Sequence, residues 1–150
     1  MVKKLNTMPW FIRTGNRGLI DPERVRDAIV AAERQTSAEL RVSLAPWFWG
    51  SVQGAADKAF VRLGMTKTQQ RNGVLFFVVP SRRVLVVLGD TGVHACVGQD
   101  LWNELAAIQA DHFGRGEFTE GLVASIARAG EDLARHFPAN SGAGADEFPR

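Results

Sequence analysis

A chain of 150 residues has the size of one domain with its own core, and an apolar share of 45% with a net charge of +2 is that of an ordinary soluble globule. No run approaches the roughly 18 apolar residues of a membrane span, and "MVKKLNTMPWFIRTG" has no apolar core of a secretory leader, so a cytoplasmic protein is expected. Zinc-ligand spacing, a Walker loop, a dinucleotide glycine pattern and internal repeats are all missing.

The charge is unevenly spread. Lys3, Lys4, Arg13 and Arg17 make the first twenty residues +4, so the remainder is −2. With no nucleic-acid motif beside it, residues 1–20 are read as a solvated, partly ordered basic arm that binds no nucleic acid. The single Cys96 excludes an internal disulfide, and its neighbours Val93, Ala95 and Val97 predict a buried, inert thiol.

A first helix starts with Asp21 as N-cap and Pro22 at the first position, followed by Val25, Ala28, Ile29 and Ala32 on one face. Residues 38–45 alternate Leu40, Val42 and Leu44 with Glu39, Arg41 and Ser43, the pattern of a half-buried edge strand. "PWFWG" breaks it, and a second helix from Ser51 to Leu63 turns Ala55, Ala56, Ala59, Phe60 and Leu63 inward. Residues 74–79 and 84–88 carry no polar side chain, so both strands are expected to be covered on both faces. The short "PSRR" makes them a hairpin, with Val79 facing Val84 and Gly73 facing Asp90.

A third helix over "GQDLWNELAAIQADHF" presents Leu101, Leu105 and Ile108 and stops at Gly114 and Gly116. A fourth, capped by Thr119, presents Leu122, Ile126, Gly130, Leu133 and Phe137 and ends at Pro138. Residues 139–150 have the composition of a flexible tail. The order α-β-α-β-β-α-α, with a right-handed parallel crossover and an antiparallel hairpin, predicts a small mixed sheet sandwiched between helices over residues 21–138.

The strand directions gather candidate residues on one rim. Thr36, Ser37 and Glu39 start the first strand, Arg71, Asn72 and Gly73 start the second, and Gly89, Asp90, Thr91 and Gly92 finish the third. With Asp100 at the next helix, the carboxylates Glu39, Asp90 and Asp100 form an oxygen-rich set suited to Ca2+ or Mg2+. The same residues are also common strand-end chemistry, which satisfies turns and orphan amides. The opposite rim carries Trp47, Phe48 and Trp49 with Arg82 and Arg83. Three aromatics in a loop either cap the open end of the core or form a patch for a protein partner.

The segments "AERQTSAELRV", "LGMTKTQQRNGVLFFVV", "VLVVLGDTGVHACVG", "DLW" and "FTEGLVASIARAGEDLARHFP", in this order, resemble the TPM-domain family. That family includes thylakoid-lumen proteins linked to photosystem repair, a nematode acetylcholine-receptor modulator and many bacterial proteins. The likeness runs from Asp21 to Pro138 and is nearest to the short soluble bacterial form. It implies an α/β sandwich, and for some members acid phosphatase activity or Ca2+ binding. Gly89 to Gly92 and Asp100 match family positions. Arg71 stands where the family has an acidic or polar residue, and Asn16 in "GNRG" stands where many members have aspartates.

Two functions are therefore expected. The first is a module that binds a divalent cation or polar partner at the rim and supports assembly or maintenance of a protein complex. The alternative is a metal-dependent hydrolase of phosphomonoesters, with Asp90 as nucleophile and Lys67 or Arg71 as phosphate clamp. His112 is read as a helix-surface residue rather than a general base.

Overall fold

The computed structural model describes residues 2–9, 20–82 and 84–139. Arg13, Asn16, Arg17, Arg83 and the tail from residue 140 lie outside the described residues. The elements are β1 (Val2–Pro9), α1 (Pro22–Glu33), β2 (Glu39–Leu44), α2 (Val52–Arg62), β3 (Gly73–Val79), β4 (Val84–Asp90), α3 (Thr91–Gly114) and α4 (Phe118–His136). From α1 onward this is the expected order, α-β-α-β-β-α-α, around a mixed sheet.

The sheet runs β1-β4-β3-β2. β2 and β3 are parallel, as the α2 crossover requires, and β3 and β4 are antiparallel. Val79 faces Val84 and Val74 faces Gly89, so Gly73 and Asp90 follow as the strand ends. Within the basic arm, Val2–Pro9 form β1, a strand that the sequence reading did not assign. It pairs antiparallel with β4, Val2 opposite Asp90 and Pro9 opposite Val84. "VKKLNTMP" has no clean alternation, so its strand character rests on the hydrogen-bonding edge that β4 offers.

The apolar runs are explained by two cores. Val74, Phe76, Val78, Leu85 and Val87 face Leu101, Trp102, Leu105, Leu122, Ile126 and Leu133 of α3 and α4. Leu75, Phe77, Val79, Val84, Val86 and Leu88 face Ala56, Ala59 and Phe60 of α2 and Met65 of a short 3-10 turn. Every residue of β3 and β4 is buried, and each such large apolar side chain contributes about 1.5–3 kcal/mol relative to exposure. An edge-strand pattern is correct for β2, where only Leu40 is fully buried.

Caps decide the helix starts. The Asp21 carboxylate accepts the Glu23 and Arg24 amides, as its position before Pro22 predicts. Thr119 does not cap α4. It lies inside the first turn, and its hydroxyl oxygen accepts the Asp21 amide at 3.0 Å, joining the starts of α1 and α4. α3 begins seven residues before Gly98, at Thr91, and bends at Gly98 (φ 65°), a left-handed geometry that suits glycine. Val93 and Val97 set the inward face of this early turn, so Cys96 is exposed rather than buried.

Candidate functional site

The expected rim does assemble, around a single ion pair. Asp90 ends β4 and caps α3, its Oδ1 accepting the Thr91 amide at 2.7 Å. Arg71 donates from Nε to Oδ2 at 2.6 Å and from a terminal nitrogen to Oδ1 at 2.9 Å. The fork engages both carboxylate oxygens, the strongest geometry a carboxylate can be offered. Asp90 is fully buried while the Arg71 side chain is 43% exposed. The hydrogen bond to Asp90, then its negative charge, raises the Arg71 pKa above its ordinary value.

Backbone geometry fits Arg71 to this role. Its φ of 50° is left-handed, uncommon for a residue other than glycine. The Gly92 amide donates to the Arg71 carbonyl at 2.9 Å and holds that conformation. A Cβ on Gly92 would lie 2.1 Å from the Gln70 carbonyl oxygen, so glycine permits the approach. Asn72 is buried, and its backbone N–H donates to the Thr68 hydroxyl oxygen at 2.9 Å.

The remaining rim residues serve the chain itself. The buried Thr36 hydroxyl donates to the Phe137 carbonyl and accepts the Ala38 amide. Ser37 accepts from the Gln70 side chain at 3.4 Å. Glu39 pairs with Arg41 at 2.6 Å. Asp100 lies beyond the Gly98 bend and is exposed, as is Lys67. Glu39, Asp90 and Asp100 are therefore not gathered: among the described residues no group of three or more His, Cys, Asp or Glu side chains is placed to hold a metal ion. The donor set does not fit a divalent cation, because Asp90 already has both oxygens engaged by a fixed cation. His112 sits at the far end of α3, against Glu117 at 3.0 Å, with Arg115 joining Glu117 at 2.9 Å.

The opposite rim divides the aromatic loop into two parts. Phe48 is half-buried and packs on the α2 core, with the Arg82 guanidinium 4.3 Å from its ring centre. Arg82 also donates to the carbonyls of Phe48 and Gly50, which fixes the loop to the hairpin. Phe48 is thus the cap that the core needs. Trp47 and Trp49 are not: they are 59% and 84% exposed and meet edge to face at 4.6 Å. Beside them is a cleft of about 570 Å³ lined by Leu44, Pro46, Phe48 and Trp49 together with Lys58 and Arg62 of α2. The two lysine and arginine residues were not singled out from the sequence, although their i, i+4 spacing places both on one face of α2.

A family model described as the TPM domain matches residues 16–132. The chain belongs to the TPM-domain family. The solution NMR structure of the BA42 protein from the psychrophilic bacterium Bizionia argentinensis is similar to this TPM domain, at 33% identity and a TM-score of 0.78. The match covers 91% of this chain and 96% of that one. Among curated proteins none matches. No helix among the described residues of this TPM domain is long and apolar enough to cross a membrane.

Proposed function

We propose that this TPM domain is a docking module that supports assembly or maintenance of a protein complex and holds its partner at the Trp47–Trp49 rim. The observation that carries this reading is the exposure of two adjacent tryptophans on a loop that Arg82 and Phe48 keep rigid. Large aromatic side chains left in water are unfavourable in the free protein, and tryptophan and arginine are the residues that dominate protein interfaces. A pre-formed loop also loses little conformational freedom on binding.

In this reading the Asp90 rim is a structural lock. A phosphoryl-transfer nucleophile needs a free oxygen aimed at phosphorus, and both oxygens of Asp90 accept hydrogen bonds from Arg71 while the side chain is buried. Arg71, as the partner of Asp90, is likewise committed and does not serve as a phosphate clamp.

A photoreactive amino acid at position 49, in the full chain and in its native cells, tests the docking role. Discrete adducts at position 49 that are absent when the probe replaces Val30, an exposed apolar residue of α1, are expected. Identical adducts from both positions would show that the tryptophans have no special partner.

A further inference from the structure

Beside the tryptophan rim the sheet ends on an open edge. β2 is the last strand of the order β1-β4-β3-β2, and among the described residues it pairs only with β3. The main-chain groups of successive strand residues point alternately to the two sides of the strand. The Ala45 amide donates to the Val78 carbonyl of β3, so Glu39, Arg41 and Ser43 are the β2 residues that bond to β3. Leu40, Val42 and Leu44 therefore turn their N–H and C=O groups outward. The Leu40 amide is closed off by the Glu33 carboxylate at 3.0 Å, which leaves Val42 and Leu44 as the free part of the edge. Unpaired edge groups of this kind accept an added strand.

The two faces beside that edge differ in chemistry. Towards α1 lies a groove of about 680 Å³ walled by Val25, Ile29, Leu40 and Val42, and the charges that line it are of both signs. Towards α2 lies the cleft of about 570 Å³ with Ser43 and Phe77 at the sheet and Lys58 and Arg62 on the helix. No carboxylate lines that cleft, and among the described residues neither Lys58 nor Arg62 is in an ion pair. Leu44, 48% exposed, lines both depressions. Side chains of a strand alternate between the faces of its sheet. An added strand would thus send every second side chain to an apolar groove and the others to a cationic cleft.

We propose that the partner docks through an extended segment in which acidic and apolar residues alternate, added as a strand to Val42 and Leu44 of β2. Its apolar side chains enter the groove beside α1, and its carboxylates face Lys58 and Arg62 next to Trp49. A partner of opposite charge is favoured over a second copy of this chain, because pairing two β2 edges would set two cationic clefts side by side. A lipid surface fits less well, since hydrocarbon offers no partners for the main-chain groups of the edge. The inference rests on the docking role of the tryptophan rim and names the chemistry of its partner.

The test titrates the full chain with the capped peptide Glu-Val-Glu-Ile-Glu-Val-Glu and follows 1H–15N spectra. The Val42 and Leu44 amides and the Trp49 indole signal are expected to move, leaving the Thr91 amide at the far rim in place. Lys58→Glu with Arg62→Glu is expected to weaken this binding by about tenfold or more. Of two versions of the peptide N-methylated on alternate residues, one is expected to lose binding and the other to keep it, because only one set of amides faces β2. Unmoved Val42 and Leu44 signals would overturn the proposal, and so would equal binding of the two methylated peptides. Shifts that grow with protein concentration and need no peptide would overturn it in favour of a second copy. A Trp49 signal that responds to phosphatidylglycerol vesicles and not to the peptide would overturn it in favour of a lipid surface. The adduct from position 49 is scored in the Lys58→Glu, Arg62→Glu variant and is expected to weaken. An unchanged adduct with no peptide shift would remove the acidic partner and leave the docking role standing. Peptide shifts with no adduct in cells would remove the assembly role and leave the strand-edge site.

Discussion

Arg71 holds both carboxylate oxygens of Asp90, at 2.6 and 2.9 Å, across the adjoining ends of β3 and β4 and over a sequence separation of 19. The pair ties the start of one strand to the end of its neighbour, and Asp90 in turn starts α3. Its removal bears on stability through distinguishable parts.

Asp90→Ala removes the cap of α3, which alone costs about 1 kcal/mol, and leaves Arg71 without its acceptor. Asp90→Asn keeps one oxygen for the cap and loses the charge together with one of the two acceptors that Arg71 uses. The expected order of stability in urea is wild type, then Asn, then Ala. Equal midpoints for the two variants would show that the cap contributes nothing.

Millimolar Ca2+ or Mg2+ is expected to leave the wild-type melting temperature unchanged relative to chelator. A cation would have to displace a guanidinium bonded to both oxygens of Asp90, and Glu39 is paired with Arg41. A site occupied at a hundredfold excess over its dissociation constant would stabilise by about 2.7 kcal/mol, a rise of several degrees that calorimetry detects with ease. Such a rise would restore the cation reading of the rim.

Close packing around the rim makes its glycines sensitive. Gly92→Ala puts a methyl 2.1 Å from the Gln70 carbonyl oxygen, and Gly89→Ala puts one 2.6 Å from the Trp102 ring. The first meets backbone and the second a fully buried side chain, so neither neighbour yields freely. Each variant is expected to lose about 1–3 kcal/mol by denaturant unfolding, with Gly92→Ala the more severe.

Trp47→Ser with Trp49→Ser is expected to keep the wild-type melting temperature, since exposed residues away from the core change stability by about 0.5 kcal/mol or less. The partner adduct formed from a probe at Leu44 on the same rim is expected to disappear. A marked fall in melting temperature would assign the tryptophans to the core instead.

Acid weakens the join between α1 and α4. The Arg24 hydrogen bond holds the Glu120 carboxyl below its ordinary pKa, and the Arg115 hydrogen bond, then His112, does the same for Glu117. A carboxyl with a lowered folded pKa stabilises the native state above its unfolded value. That contribution is lost as the pH falls below about 4.3 towards the folded value. Glu120→Gln is expected to flatten the fall in melting temperature between neutral pH and about pH 3. A profile parallel to wild type would show that the Arg24 pair adds no stability.

Local pattern was enough for much of this fold. The unbroken apolar runs of β3 and β4 can be buried only on both faces, and "PSRR" is too short for anything but a hairpin. The Asp21–Pro22 start of α1 was legible for the same reason: a cap acts within a few residues of itself. The rim of Asn72, Gly73 and Asp90 followed from strand directions alone. Tertiary structure decided what those residues do. β1 is a strand because β4 gives it a partner, and its charged, irregular sequence carries no such signal. Arg71 is locked to Asp90 because a left-handed turn, held by the Gly92 amide, aims its side chain inward. The loop "PWFWG" reads as three equivalent aromatics, yet Phe48 packs on α2 while Trp47 and Trp49 remain in water. That division is set by where Arg82 and α2 stand, which are contacts distant along the chain and so invisible to any local pattern.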